Sequence, residues 1–188
     1  LSPSLESDTH RHPLKHIAVL GSTGSIGRNA LEVIASHPER YQVVALAAGQ
    51  NTELLAKQVQ RFRPMAVAVH NRELGRALMD RLSGTGDTEW FWGPEGISRI
   101  AGMDGVDTVI SAITGAAGLE PTVAAVRAGK DVALANKETL VMAGDLVMRE
   151  AAAHGVSILP VDSEHSAVLQ SLQGHHREDV KRIILTAS

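Results

Sequence analysis

Cysteine is absent from this 188-residue chain. That excludes disulfides, thiolate metal sites and a cysteine nucleophile, and it is compatible with a cytoplasmic protein. Aromatic residues are scarce. Phe, Trp and Tyr make up 3% of the chain against 44% hydrophobic residues overall, so the core has to be built from Ala, Val, Leu and Ile. No excess of positive charge exists. Lys and Arg number 18 and Asp and Glu 21, for a net charge of −3. Nucleic acid and anionic membranes therefore have no electrostatic case as partners, and an anionic ligand has to be caught by local groups. No apolar run is long enough for a transmembrane helix. Residues 1–15 are polar and mixed in charge. They lack the apolar centre of a signal peptide, and Glu6 and Asp8 argue against an organelle transit peptide, so this segment reads as a flexible tail.

What is present is a steady alternation of short apolar runs and amphipathic segments. Strands are expected at HIAVLG, YQVVALAA, MAVAV, a short aromatic stretch within SGTGDTEWFWG, DTVISAIT, DVALAN, SILPVD and VKRIILTAS. Helices are expected over 25–36, 51–63, 72–82, 94–101, 120–128, 138–154 and 163–173. The first of these places Ile26, Ala30, Val33 and Ile34 on one face. The strands are continuous apolar runs, as in sheets buried on both faces. Such alternation predicts an α/β fold with a doubly wound parallel sheet. A last strand that stops at Ser188 makes the chain the expected front part of something longer.

The stretch Gly21-Ser22-Thr23-Gly24-Ser25-Ile26-Gly27 follows the first strand and opens the first helix. Glycines in that context permit a tight turn and bring phosphate oxygens to backbone N–H groups at a helix N-terminus. The spacing G-x-x-G-x-x-G leaves Gly24 for close approach and Gly27 for helix–strand packing, with Thr23 and Ser25 as further donors. An NAD site usually carries a carboxylate at the end of the second strand. Here that end reads Gly49-Gln50-Asn51. Nothing there repels a 2′-phosphate, which tilts the reading toward NADPH; Asn51 is also suited to cap the next helix. Lys57 and Arg61 lie further along that helix.

Two polar clusters fall at later strand ends, where ligands sit in doubly wound sheets. Asn136-Lys137-Glu138 offers a lysine to a substrate oxygen, or else a helix cap and a first-turn acid. In Asp162-Ser163-Glu164, extended residues two apart point to one side, so two carboxylates can meet at a hard divalent cation. Helix capping is the competing account. No third anchor stands before Ser188, since Glu178 and Asp179 begin the last strand, at the wrong end. The other histidines, His175 and His176 included, fall in turns or in the tail and are expected to be exposed.

In this order and spacing, GSTGSIG, AITGAAGL, ALANKETLV and PVDSEHSA resemble the 1-deoxy-D-xylulose 5-phosphate reductoisomerase family, from about His16 to Ser188. The resemblance implies an NADP-dependent oxidoreductase of the methylerythritol phosphate route to isoprenoids. It would use NADPH and Mg²⁺, Mn²⁺ or Co²⁺ to rearrange a sugar phosphate and reduce it to 2-C-methyl-D-erythritol 4-phosphate. It implies a Rossmann-like NADPH-binding domain over 16–162, the start of a catalytic α+β domain over 163–188, and a cytoplasmic homodimer at full length. Thr23, Gly24, Ser25, Ile26, Gly49, Gln50, Asn51, Asn136 and Glu138 match cofactor-contacting positions. Lys137, Ser163 and Ser188 match substrate-binding positions, and Asp162 and Glu164 two metal ligands. Lys137 and Glu164 are thereby the catalytic candidates. The family often has a basic residue where Gln50 stands. Its third metal carboxylate, lid and helical domain lie beyond Ser188, so this chain is expected to bind NADPH without full turnover.

Other readings fit less well. A short-chain dehydrogenase needs Tyr-x-x-x-Lys, but Tyr41 has Ala45 four residues on. Aspartate semialdehyde dehydrogenase needs a cysteine. Homoserine dehydrogenase shares an Ala-Asn-Lys stretch but fits Asp162-Ser163-Glu164 less closely. A non-catalytic dinucleotide-binding module would bind cofactor with no response to metal or sugar phosphate.

Overall fold

Short runs of small β-branched and aliphatic residues can be buried on two faces only if helices cover both. In the computed structural model, which describes residues 13–82 and 87–184, they form one sheet. Its strands are β1 (Lys15–Leu20), β2 (Tyr41–Ala48), β3 (Ala66–Val69), β4 (Glu89–Trp92), β5 (Thr108–Ser111), β6 (Asp131–Leu134) and β7 (Ile158–Pro160). All pairings are parallel, in the order β4-β3-β2-β1-β5-β6-β7. The helices are α1 (Ser25–Ser36), α2 (Thr52–Phe62), α3 (Arg72–Arg81), α4 (Gly93–Ala101), α5 (Leu119–Arg127), α6 (Lys137–His154) and α7 (Ser163–Leu172).

Side chains alternate across β1, so Ile17 and Val19 join one core and Ala18 and Leu20 the other. The first core packs Leu31 and Ile34 of α1, Leu55 and Val59 of α2 and Leu78 of α3 against Leu46 and Val67. The second packs Ile100 of α4, Val126 of α5 and Ala151 of α6 against Val44 and Val132. The buried hydrophobic cores are built of Ala, Val, Leu and Ile, with no aromatic ring fully buried among the described residues, as the scarcity of aromatics demands. No helix among them is long and apolar enough to cross a membrane.

Three sequence expectations need correction. The buried face of α1 is Gly27, Leu31 and Ile34, whereas Ile26 and Val33 point outward, Val33 being 57% exposed. The glycine decides this rotation: it lies against the turn after β1, which brings the residues four and seven positions on toward the sheet. The expected final strand does not form over 180–184, where Ile183 and Ile184 are exposed and no neighbouring strand offers a ladder. Its remaining residues, 185–188, lie outside the described ones. Finally, a 3-10 turn, Gly115–Gly118, precedes α5, and α6 is interrupted at Ala143, beside Gly144. A glycine is a common cause of such a kink.

The winding is uneven. The helices α5 and α6 both pack on the second core, so the opposite face of β5, β6 and β7 is open. Ile110, Ala133, Leu159 and Val161 line an apolar groove of about 560 Å³ there, flanked by Ala30 and Val33 of α1.

The two regimes predict unequal mutational costs. Leu46→Ala, fully buried, should lose about 2–5 kcal/mol in urea denaturation. Leu159→Ala, half exposed on the open face, should stay within about 0.5 kcal/mol. Equal losses would show that the open face is packed as tightly as the core.

Candidate functional site

The chain winds one way from β1 to β2 and the other from β1 to β5, so the loops leaving β1 and β5 part and open a crevice between them. The glycine loop fills that position. Gly21 has φ +82°, and a Cβ there would lie 2.5 Å from the Ala112 carbonyl oxygen, beyond β5. A Cβ on buried Gly27 would collide with the carbonyl oxygen of Gly21. These two positions require glycine for shape. Gly24 is the exposed N-cap of α1, and no side chain caps the helix. The amide of Arg28 closes the first helical bond, to the Gly24 carbonyl at 2.9 Å. The amides of Ser25, Ile26 and Gly27 precede it, at the positive end of a twelve-residue helix with no acid in its first turn. By contrast α2, α3 and α6 are each capped by an asparagine side chain. The donor set at the start of α1 fits a phosphate group.

Thr23 is half-buried, and Ser25 and Ile26 are exposed at the crevice. Ser22 is not available to a ligand. It is fully buried, its hydroxyl donating to Gln58 Oε1 at 2.7 Å and its carbonyl accepting from Gln58 Nε2 at 2.8 Å. This reciprocal pair latches the loop to α2 across 36 residues, and sequence reasoning missed it; a glutamine on the apolar face of α2 was the one available signal. The backbone adds a second tie, since the Gly21 and Ser22 amides both donate to Ala47 at the end of β2, each at 2.9 Å. Just beyond, Gly49, Gln50 and Asn51 are exposed. Asn51 caps α2, accepting from the Leu54 amide at 3.1 Å, and so carries out the structural role its position allowed.

At the next strand ends Asn136 acts as a brace. It is 2% exposed. Its Nδ2 donates to the carbonyls of Ile113 and Gly115, and its Oδ1 accepts from the Thr139 amide at 3.1 Å. The side chain thus joins the loop after β5 to the start of α6, and both ends of its amide are used. Glu138 is exposed in the first turn of that helix. Lys137 reaches across to the end of β7, its Nζ 3.7 Å from Asp162 Oδ2.

Asp162 and Glu164 do come together, but not by strand alternation. α7 already begins at Ser163, so Asp162 stands at its N-cap and Glu164 in its first turn. Asp162 makes no capping bond, although it occupies the capping position. Its side chain is 14% exposed, and its Oδ1 is buried without a hydrogen-bond partner among the described residues. Glu164 is held down to about 2 by the Asp162 carboxyl group first, then its own backbone amide, the Ser163 hydroxyl at 2.9 Å and the Lys137 charge. An orphaned buried carboxylate oxygen beside a second carboxylate fits a hard divalent cation that keeps its other positions for water or substrate. Among the described residues no group of three or more metal-ligating side chains forms. Ser188 lies outside the described residues.

All these groups stand along one edge of the sheet. From β1 to β7 is three strand spacings, roughly 14 Å.

Comparison with known proteins adds a family. Residues 17–144 match the model of 1-deoxy-D-xylulose 5-phosphate reductoisomerase, and residues 158–188 that of the same enzyme's C-terminal domain. A 1-deoxy-D-xylulose 5-phosphate reductoisomerase of Geotalea uraniireducens is 58% identical over 175 residues, 93% of this chain and 45% of the relative. The chain thus spans about half the length of the curated relatives it matches. A crystal structure of DOX-P reductoisomerase in complex with NADPH, fosmidomycin and magnesium superposes with a TM-score of 0.81 at 44% identity, covering 86% of this chain and 40% of that one. The enzyme from Zymomonas mobilis in complex with NADPH gives 0.81 at 41% identity, covering 88% and 43%.

The latch and the brace make a structural prediction. Gln58→Leu leaves the buried Ser22 hydroxyl unpaired and should cost about 1–3 kcal/mol. Asn136→Ala, which frees two carbonyls and uncaps α6, should cost at least as much. Chemical denaturation measures both. A neutral Gln58→Leu would show that the loop is held by its backbone ties alone.

Proposed function

Because the chain belongs to the 1-deoxy-D-xylulose 5-phosphate reductoisomerase family, we propose that it forms the cofactor-binding part of an enzyme converting that sugar phosphate to 2-C-methyl-D-erythritol 4-phosphate. The observation that carries this reading is the uncapped start of α1 at the sheet's switch point, with a lysine–carboxylate cluster further along the same edge. Residues 16–162 are the NADPH-binding domain, and 163–188 begin the catalytic one. A homodimer is the assembly and the cytoplasm the compartment that the family resemblance implies.

The roles proposed combine the family resemblance with this geometry. Backbone amides at the start of α1, with the Thr23 and Ser25 hydroxyls, hold the pyrophosphate across Gly24 and Ile26. Gly49, Gln50 and Asn51 stand at the adenine ribose. Asn136 keeps the loops after β5 and β6 in register, and the exposed Glu138 faces the cofactor from the first turn of α6. Asp162 and Glu164 are two oxygen ligands for the cation. Lys137 and Ser163 contact substrate oxygens beside them, and Ser188 is assigned to the substrate phosphate. When bound, NADPH supplies the hydride and the cation supplies polarisation of the substrate carbonyl. The Lys137 ammonium, already beside a carboxylate, places positive charge where the oxygen atoms of the substrate would carry negative charge.

The test is NADPH fluorescence and NADPH oxidation with the 188-residue chain, with and without 1-deoxy-D-xylulose 5-phosphate and Mn²⁺. Saturable NADPH binding without oxidation is expected, since the described residues bring only two carboxylates to the cation. Absence of any binding would sink the cofactor assignment. Substrate- and metal-dependent oxidation would uphold the reaction and overturn the claim that this chain alone does not turn over. In the whole enzyme, Asp162→Asn should abolish metal-dependent oxidation while NADPH affinity persists; loss of both together would move Asp162 from the metal to the frame.

A further inference from the structure

We propose that Arg28 is the residue by which this chain distinguishes a 2′-phosphorylated dinucleotide from an unphosphorylated one. The inference rests on the dinucleotide reading above and names the group within that site that reads the phosphate. The end of β2, where the adenine ribose lies in such sheets, carries no charged side chain. Gly49, Gln50 and Asn51 are neutral, and Asn51 Oδ1 is already engaged with the Leu54 amide. A dianion placed there has to find its counter-charge on a neighbouring element.

That element is a groove of about 150 Å³ between α1 and α2, with three cations on its walls: Arg28, Lys57 and Arg61. They are not equivalent. Arg61 makes a two-pronged pair with Glu32 of α1, its Nη1 on Oε1 and Nη2 on Oε2, and stands near the far end of α2. Lys57 is paired along its own helix with Glu53 at 3.4 Å. Arg28 has no ion pair or side-chain hydrogen bond among the described residues. Of the three it alone stands on α1, where its own amide closes the first turn on Gly24.

The loop's anchoring places this side chain. The Ser22–Gln58 latch and the Ala47 bonds hold the loop against the start of α2 and the end of β2. Leu54, in the first turns of α2, shares the groove wall with Arg28. The Arg28 side chain therefore lines the groove between α1 and α2, and the N-cap of α2, Asn51, ends the exposed Gly49–Asn51 turn. A planar fork of donors matches phosphate oxygens two at a time, and an unpaired guanidinium need break no existing bond to do so. Glu53, the acid closest in sequence to that turn, has its charge offset by Lys57.

The experiment measures dissociation constants of NADPH, NADH, adenosine 2′,5′-bisphosphate and ADP on the 188-residue chain and on Arg28→Gln, Arg28→Lys and Lys57→Gln. Fluorescence serves the first two ligands and calorimetry the others, at one fixed ionic strength. Arg28→Gln should weaken NADPH and adenosine 2′,5′-bisphosphate about tenfold or more, the loss of a charge-assisted phosphate contact, and leave NADH and ADP unchanged. Unchanged NADH binding also shows that the variant is folded. Arg28→Lys should retain part of the preference, and Lys57→Gln should retain all of it. The proposal is overturned if Arg28→Gln keeps the NADPH preference, if it weakens both dinucleotides equally, or if Lys57→Gln removes the preference. A wild-type chain that binds NADH as well as NADPH overturns it too and leaves the dinucleotide reading standing. A chain that binds neither overturns both.

Discussion

The approach of α1 to the first strand governs the rest of this molecule's working edge. Backbone meets backbone where Gly27 lies against the Gly21 carbonyl, and a side chain at Gly27 would force the two apart. That contact sets the rotation of α1 and turns Leu31 and Ile34 into the core. It also aims the helix's first amides at the crevice between β1 and β5. A helix start left uncapped costs stability wherever water must satisfy its amides alone. The asparagine caps of α2, α3 and α6 show that the fold can supply caps, whereas the start of α1 at exposed Gly24 has none and carries no acid in its first turn.

The anchors around that contact are polar and buried, which makes them specific. Ser22 and Gln58 satisfy each other twice, and Asn136 satisfies three backbone groups from two loops. An apolar packing contact tolerates sliding; a buried hydrogen-bond pair does not, because a displaced partner is left without water or protein to bond. The loops after β1, β5 and β6 are thus held at fixed spacing while the side chains that face outward from them stay free. Thr23, Ser25, Gln50 and Glu138 belong to this second set.

Two features extend past this frame. The Lys137–Asp162–Glu164 cluster has a buried carboxylate oxygen without a hydrogen-bond partner among the described residues. On the face of β5, β6 and β7 away from α5 and α6, an apolar groove lies open beside α1. The first is a matter of charge and the second of hydrophobic area, and both sit in the half of the sheet where the helices cover only one face.

The local grammar of the chain was legible. Continuous apolar runs announced buried parallel strands, the glycine loop announced a strand-to-helix turn, and Asn51 and Asn136 announced helix caps, since each depends on residues close in sequence. Contacts between distant segments were not. The Ser22–Gln58 latch joins residues 36 apart, and the free Arg28 is recognisable only once Arg61 is seen to be taken by Glu32 and Lys57 by Glu53. Amphipathic spacing allowed two faces for α1, and the Gly27 contact chose between them. The run over 180–184 has the composition of a strand, but a strand needs a neighbour's backbone, and among the described residues none pairs with it. Strand alternation predicts that Asp162 and Glu164 point to one side, yet they meet at the start of a helix. Sequence by itself determined which residue types stand at each strand end, because turn, cap and apolar-run preferences are local. Only the tertiary structure decided which of their donors, acceptors and charges are spent on the frame and which are left for a ligand, because that depends on partners brought together by the sheet.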